Sequence, residues 1–114
     1  MKKFKKDIVK ILEDNGFVVG EITKQSNEIY VDLNQSTPLG EDWWVVIFFD
    51  GTNNDFIQEF YRYAYNFDID DEVEPYVQNR AKNGIPNSIV DLIEDAQWKQ
   101  KTLEETADKL YNLL

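Results

Sequence analysis

The sequence predicts an α+β domain spanning residues 1–114, built as one three-stranded antiparallel sheet with an N-terminal helix and three C-terminal helices, in the order α-β-β-β-α-α-α. Three observations carry that expectation. An apolar stripe at helical spacing opens the chain and stops at Asn15-Gly16. Three β-branched or aromatic runs follow, joined by short polar connections. From Phe56 onward the apolar period returns to that of a helix.

The first helix is placed over 3–15, where Phe4, Ile8, Ile11 and Leu12 follow i, i+4, i+7, i+8 spacing. Its lysines come first and its acids last, the wrong order for the helix dipole. That mismatch costs a few tenths of a kcal/mol per exposed charge, on the order of the weakest dipole effects, and the apolar stripe outweighs it. The left-handed stop is Asn15-Gly16.

Phe17–Thr23 is the first strand, closed by a polar turn at Lys24-Gln25-Ser26-Asn27. In the second, Ile29, Val31 and Leu33 alternate with Tyr30 and Asp32, the pattern of a half-buried strand. After a loop of turn formers from Asn34 to Asp42, the third run, Trp43–Phe49, is apolar throughout. Such a run is expected at the sheet centre or covered on both faces. Short connections favour an antiparallel meander.

Thr52-Asn53-Asn54-Asp55 has the form of a capping box with Asp in place of Glu, and Phe56, Ile57, Phe60, Ala64 and Phe67 make the stripe of the helix it opens. Tyr61 and Tyr65, four apart, share another side of it. Asp68 caps the next helix, whose inward residues are Val73, Tyr76, Val77 and Ala81. Pro75 marks a kink or tight turn, and Asn83-Gly84 the stop. Ile85-Pro86-Asn87-Ser88 enters the last helix, with Ile89, Leu92, Ile93, Ala96, Leu103, Ala107, Leu110 and Leu114 inward. A second capping box at Thr102-Leu103-Glu104-Glu105 marks a break near Lys99–Lys101.

Composition bounds the chemistry. At 114 residues, folding removes about two-thirds of the unfolded chain's surface from water. With 42% hydrophobic residues, the core needs neither disulfide nor metal. Histidine and cysteine are both absent, so no Ser-His or Cys-His dyad, imidazole ligand or thiolate exists. The run Asp68-Ile69-Asp70-Asp71-Glu72-Val73-Glu74 invites a calcium reading. An EF-hand loop, however, needs Gly sixth and Glu twelfth, where this chain has Val73 and Asn79. No P-loop, GxGxxG or GxSxG motif occurs. Neither an enzyme nor a cofactor is expected. A carboxylate- or magnesium-dependent hydrolase ranks third among the functional readings, since it needs carboxylates that converge in a cleft.

The formal net charge is −10. Five of the 12 basic residues, Lys2, Lys3, Lys5, Lys6 and Lys10, fall in the first ten positions, while residues 40–75 set ten carboxylates against Arg62 alone. Such a field repels DNA and acidic lipid and attracts basic proteins. Neither direct nucleic-acid binding nor membrane association is expected. The apolar stretch after the first lysines is broken by Lys10, Glu13 and Asp14, so no signal peptide is read and a cytoplasmic location is expected.

The expected partner is a basic protein surface, such as that of a nucleic-acid-binding enzyme. The candidate contact residues are Glu41, Asp42, Glu59, Tyr61, Tyr65, Asp68, Asp70, Asp71, Glu72 and Glu74. Helix capping accounts for about half of the carboxylates in 40–75 on its own. The alternative is a housekeeping or assembly module that uses the tyrosine face. Of the adjacent Trp43 and Trp44, one is expected in the core and the other under a helix or exposed.

Phe67-Asp68-Ile69-Asp70-Asp71-Glu72-Val73, Asn79-Arg80 and Asn83-Gly84-Ile85-Pro86-Asn87-Ser88-Ile89, leading to Leu92 and Glu94-Asp95-Ala96, resemble small acidic proteins of Gram-positive bacteria and their phages and mobile elements. The resemblance covers the C-terminal half and brings no catalytic residue with it. Size and acidity are similar to those of anti-restriction and anti-CRISPR proteins that mimic DNA. This implies an inhibitor of a host nucleic-acid-handling defence enzyme.

Overall fold

The computed structural model describes residues 3–74 and 89–114. The elements are α1 (Lys6–Asp14), β1 (Val18–Gln25), β2 (Glu28–Ser36), β3 (Asp42–Phe49), α2 (Asn53–Tyr65) and α3 (Ile89–Tyr111), with residues 69–74 also helical. This is the mixed α+β architecture that the sequence predicts. The expectations for Pro75, Tyr76, Val77, Ala81, Asn83-Gly84 and the 85–88 entry signal lie outside the described residues.

α1 starts later than its apolar stripe suggests. Lys5 has extended backbone and no side-chain cap. Phe4 therefore lies ahead of the helix, its ring 4.4 Å from that of Phe56 and 5.7 Å from that of Phe49. The C-terminus closes as a Schellman motif. Gly16 sits at φ 92°, its N–H donates to Glu13 O, and Phe17 N–H donates to Leu12 O.

The sheet order is β1-β2-β3, antiparallel throughout. β1 runs on through Gln25, so the predicted four-residue turn contracts to Ser26-Asn27, with Ser26 at φ 57°. Between Val19↔Leu33 and Ile22↔Val31 the register slips by one residue, which makes a bulge of Gly20 and Glu21 opposite Asp32. β2 and β3 pair without interruption from Ile29↔Phe49 to Ser36↔Asp42.

The expectation for β3 is overturned. The strand is outermost, and its burial alternates strictly: Trp43, Val45, Ile47 and Phe49 point into the core, while Asp42, Trp44, Val46 and Phe48 are exposed. Hydropathy is uniform along the strand, but among the described residues helices cover only one face of the sheet. Trp44, Val46 and Phe48 are exposed on the other, open face.

α1, α2 and α3 cover the inner face. Ile8 and Leu12, Phe56, Phe60 and Ala64, and Leu103, Ala107 and Leu110 form one core with Val31, Leu33 and the inward side of β3. A smaller cluster joins Val73 to Leu92 and Ala96.

The capping box of α2 forms by half. Thr52 Oγ1 accepts from Asp55 N–H at 3.2 Å. Asp55 reaches back past Thr52 to accept from Asp50 N–H at 2.8 Å, and the Thr52 N–H turns to Asp50 Oδ1. The expected break in the last helix does not occur, because α3 is continuous for 23 residues. Thr102 lies mid-helix and its carbonyl accepts from the buried Thr106 hydroxyl at 2.6 Å. Leu92, Ala96, Lys99, Leu103, Ala107 and Leu110 hold one buried face through the stretch where a break was expected.

Candidate functional site

Residues directly opposite in antiparallel strands point to the same side. The register therefore assembles the open face from Tyr30, Asp32 and Asn34 of β2 and Trp44, Val46 and Phe48 of β3, with Val18 beside Asn34. Trp44 is 60%, Phe48 52% and Val18 61% exposed. Tyr30 and Phe48 touch across the strands with ring centroids 5.6 Å apart. The outward positions of β2 and β3 carry Glu28, Asp32 and Asp42 and no lysine or arginine. The surface is thus apolar at its centre and negative around it. The sequence left the second tryptophan either under a helix or exposed, and it is exposed. Only the register shows that Phe48, Val46 and Tyr30 join it.

A groove of about 310 Å³ runs beside this face, lined by Val46, Ile47 and Phe48, by Glu59, Arg62 and Tyr63 of α2, and by Asn66 just after it. Tyr63 and Asn66 also line an adjoining concavity with Phe67, Asp68, Asp71 and Glu72. Burial and the nearby Glu72 carboxylate push the Tyr63 phenol above its usual range. A larger hollow, about 420 Å³, lies elsewhere between α1 and β1, next to Phe4, Val9, Val19 and Ile22.

The residues singled out from sequence fall into separate settings. Glu41 and Glu72, far apart in the chain, converge on Lys99 of α3: Glu41 Oε2 accepts at 3.4 Å, and Glu72 Oε1 accepts a closer bond. The Lys99 side chain is 3% exposed. Thr37 and Asp95 set the position of Glu41. The Thr37 hydroxyl accepts from the Glu41 N–H, and Asp95 accepts from the Leu39 N–H on the same loop. Lys99 is the residue that sequence reasoning passed over. Its signal was a lysine in register with Leu92, Ala96 and Leu103.

Glu59 pairs with Arg62 at 2.9 Å. Asp68 caps the helical segment 69–74, accepting from the Asp70 N–H at 2.9 Å. Asp42, Asp70, Asp71 and Glu74 are exposed. Tyr61 and Tyr65 stack as their spacing implies, with centroids 4.6 Å apart, and Tyr111 of α3 lies 4.8 Å from Tyr61. The Tyr65 hydroxyl donates to Asp108 at 2.6 Å, which pushes its pKa up to about 12. Tyr63 is the tyrosine that lines the concavity with Asp68 and Asp71.

Among the described residues, no group of three carboxylates is placed to hold a metal ion, and no helix is long and apolar enough to cross a membrane. Comparison with known proteins finds no match to any family model, curated protein or solved structure.

Proposed function

We propose that this chain is a non-enzymatic, acidic protein-binding domain that contacts its partner through the open face of its sheet. The observation that carries the reading is the row Trp44, Val46 and Phe48, exposed on one strand and framed by carboxylates. Aromatic side chains held rigidly by a sheet are effective interface anchors, because little conformational freedom is lost when they are covered. The chain's net charge of −10 favours a basic partner and speeds encounter with it. Absence of His and Cys leaves few routes to catalysis.

Affinity capture from the cell that expresses the protein tests this, using wild type and the double variant Trp44→Ala/Phe48→Ala. A protein retained by wild type and lost by the variant, with the circular dichroism of both unchanged, supports the reading. Equal retention overturns it.

A narrower second reading makes the partner a nucleic-acid-handling enzyme, of the kind that anti-restriction or anti-CRISPR inhibitors block. In it, carboxylates stand in for phosphates. The exposure of Asp68, Asp70 and Asp71 within four residues favours it. It requires salt-sensitive competition with DNA for the target, abolished by the charge reversals Asp70→Lys, Asp71→Lys and Glu74→Lys. An interaction that persists in high salt and ignores those reversals would leave the aromatic face as the anchor.

A further inference from the structure

β3 has a partner strand on one side only. β2 takes its inner edge, and among the described residues no strand takes the other. In an antiparallel ladder, alternate residues aim their N–H and C=O groups to opposite sides, so about half of the backbone groups of β3 point away from β2. An edge of this kind is a template for another strand unless it is blunted. Past Asp42, the strand itself carries none of the usual devices. Trp43–Phe49 contains no Lys, Pro or charged residue, and the sheet's bulge lies in β1. Val46, Ile47 and Phe48 are consecutive and point to both faces, yet all three line the same groove. That groove therefore follows the backbone edge itself.

We propose that β3 accepts an extended segment of a partner protein as a fourth strand, and that this segment alternates apolar residues and carries basic residues at its ends. The proposal rests on the open-face reading and specifies its mode. Charge selects the occupant. Asp42 and Asp50 stand at the two ends of β3 and both are exposed; the groove continues toward Asp68 and Asp71. The one cation of the groove, Arg62, is already answered by Glu59. A second copy is a poor occupant, since antiparallel pairing of two β3 strands sets Asp42 of one against Asp50 of the other, between molecules of charge −10. A basic strand reverses both terms. Its alternate side chains would lie beside Trp44, Val46 and Phe48 and widen the apolar face.

Three synthetic peptides test the proposal: Lys-Lys-Val-Thr-Val-Thr-Val-Lys-Lys, the same peptide with Glu for Lys, and the lysine peptide methylated on the backbone nitrogens of its Val and Thr residues. The readouts are amide hydrogen exchange over residues 42–49 and the fluorescence of the full chain. The lysine peptide should slow exchange at alternate β3 amides and shift the tryptophan emission, with the shift lost in Trp44→Phe; the other two should do neither. A shift of that emission without new protection in β3, or equal binding by the methylated peptide, overturns strand addition and leaves the open-face reading intact. No response to millimolar lysine peptide also overturns strand addition. Capture by wild type but not by Trp44→Ala/Phe48→Ala then reports separately on the face.

Discussion

The ammonium of Lys99 lies 5.8 Å from the centroid of the Trp43 ring, on a side chain that is 3% exposed. Two carboxylates, from Glu41 before β3 and Glu72 after α2, meet it there. One buried cation thus ties α3 to the start of the edge strand and to the 69–74 segment. Removing it should take this cation from both acids. Lys99→Met keeps most of the packing of the stem and is expected to cost about 2 kcal/mol in urea unfolding. That is less than a fully buried pair would lose, because each Glu side chain keeps 29–30% exposure and some access to water. Lys99→Ala should cost more, by the packing of its lost methylenes.

Trp43 and Trp44 are neighbours with opposite surroundings, 5% and 60% exposed. Trp43→Ala should destabilise by about 3–5 kcal/mol, since it empties a site packed by Phe17 and Trp98. Trp44→Ala should change stability by about 0.5 kcal/mol or less while removing partner binding. Chemical denaturation of the two variants, paired with the capture assay, separates core from contact surface.

Gly20 sits in the bulge of β1, where an added Cβ would lie 2.7 Å from the Asp32 carbonyl oxygen. Gly20→Ala should therefore push β1 from β2 and cost about 1–3 kcal/mol, the range for overpacking. Thermal unfolding checks the cost. Exchange of the β1 amides, faster than those of β3 in the variant, would place the damage.

The Tyr65 hydroxyl is a donor to Asp108, so the folded chain holds that proton more tightly than the unfolded chain does. Its contribution to stability is complete below the ordinary tyrosine value of 10.0 and disappears as pH rises through about 12. Tyrosinate absorbance should show Tyr65 titrating late, beside the raised Tyr63, and the Tyr65 component should be missing in Tyr65→Phe. The variant's stability should lose less than wild type's across that interval.

Much of this was legible from residue order. The Schellman stop at Gly16, the Thr52 and Asp68 caps and the Tyr61–Tyr65 stack all depend on neighbours within four positions, where sequence spacing and spatial contact coincide. Trp43–Phe49 misled because hydropathy records how apolar a strand is, not whether anything covers its outer face. The Thr102 box misled for a related reason. Its residues can cap a helix, but tertiary packing of Lys99, Leu103 and Thr106 keeps the helix running through them. The convergence of Glu41 and Glu72 on Lys99, 58 and 27 positions away, is set by the fold and left no local pattern. The open face needed the β2–β3 register, which brings Tyr30 to Phe48 and Asn34 to Trp44.

α1 and α3 pack against each other, and their buried residues join those of α2 in the core on the inner side of the sheet. During synthesis, the strands and α2 leave the ribosome well before Leu103, Ala107 and Leu110 do. Until then the inward side of Val31, Leu33 and Val45 lacks part of its cover. Joining ends this far apart along the chain adds only slowly to the entropic cost but delays the step that completes the core. Until α3 follows, both faces of the sheet are at least partly bare, and among the described residues only the inner one is then closed by the chain itself.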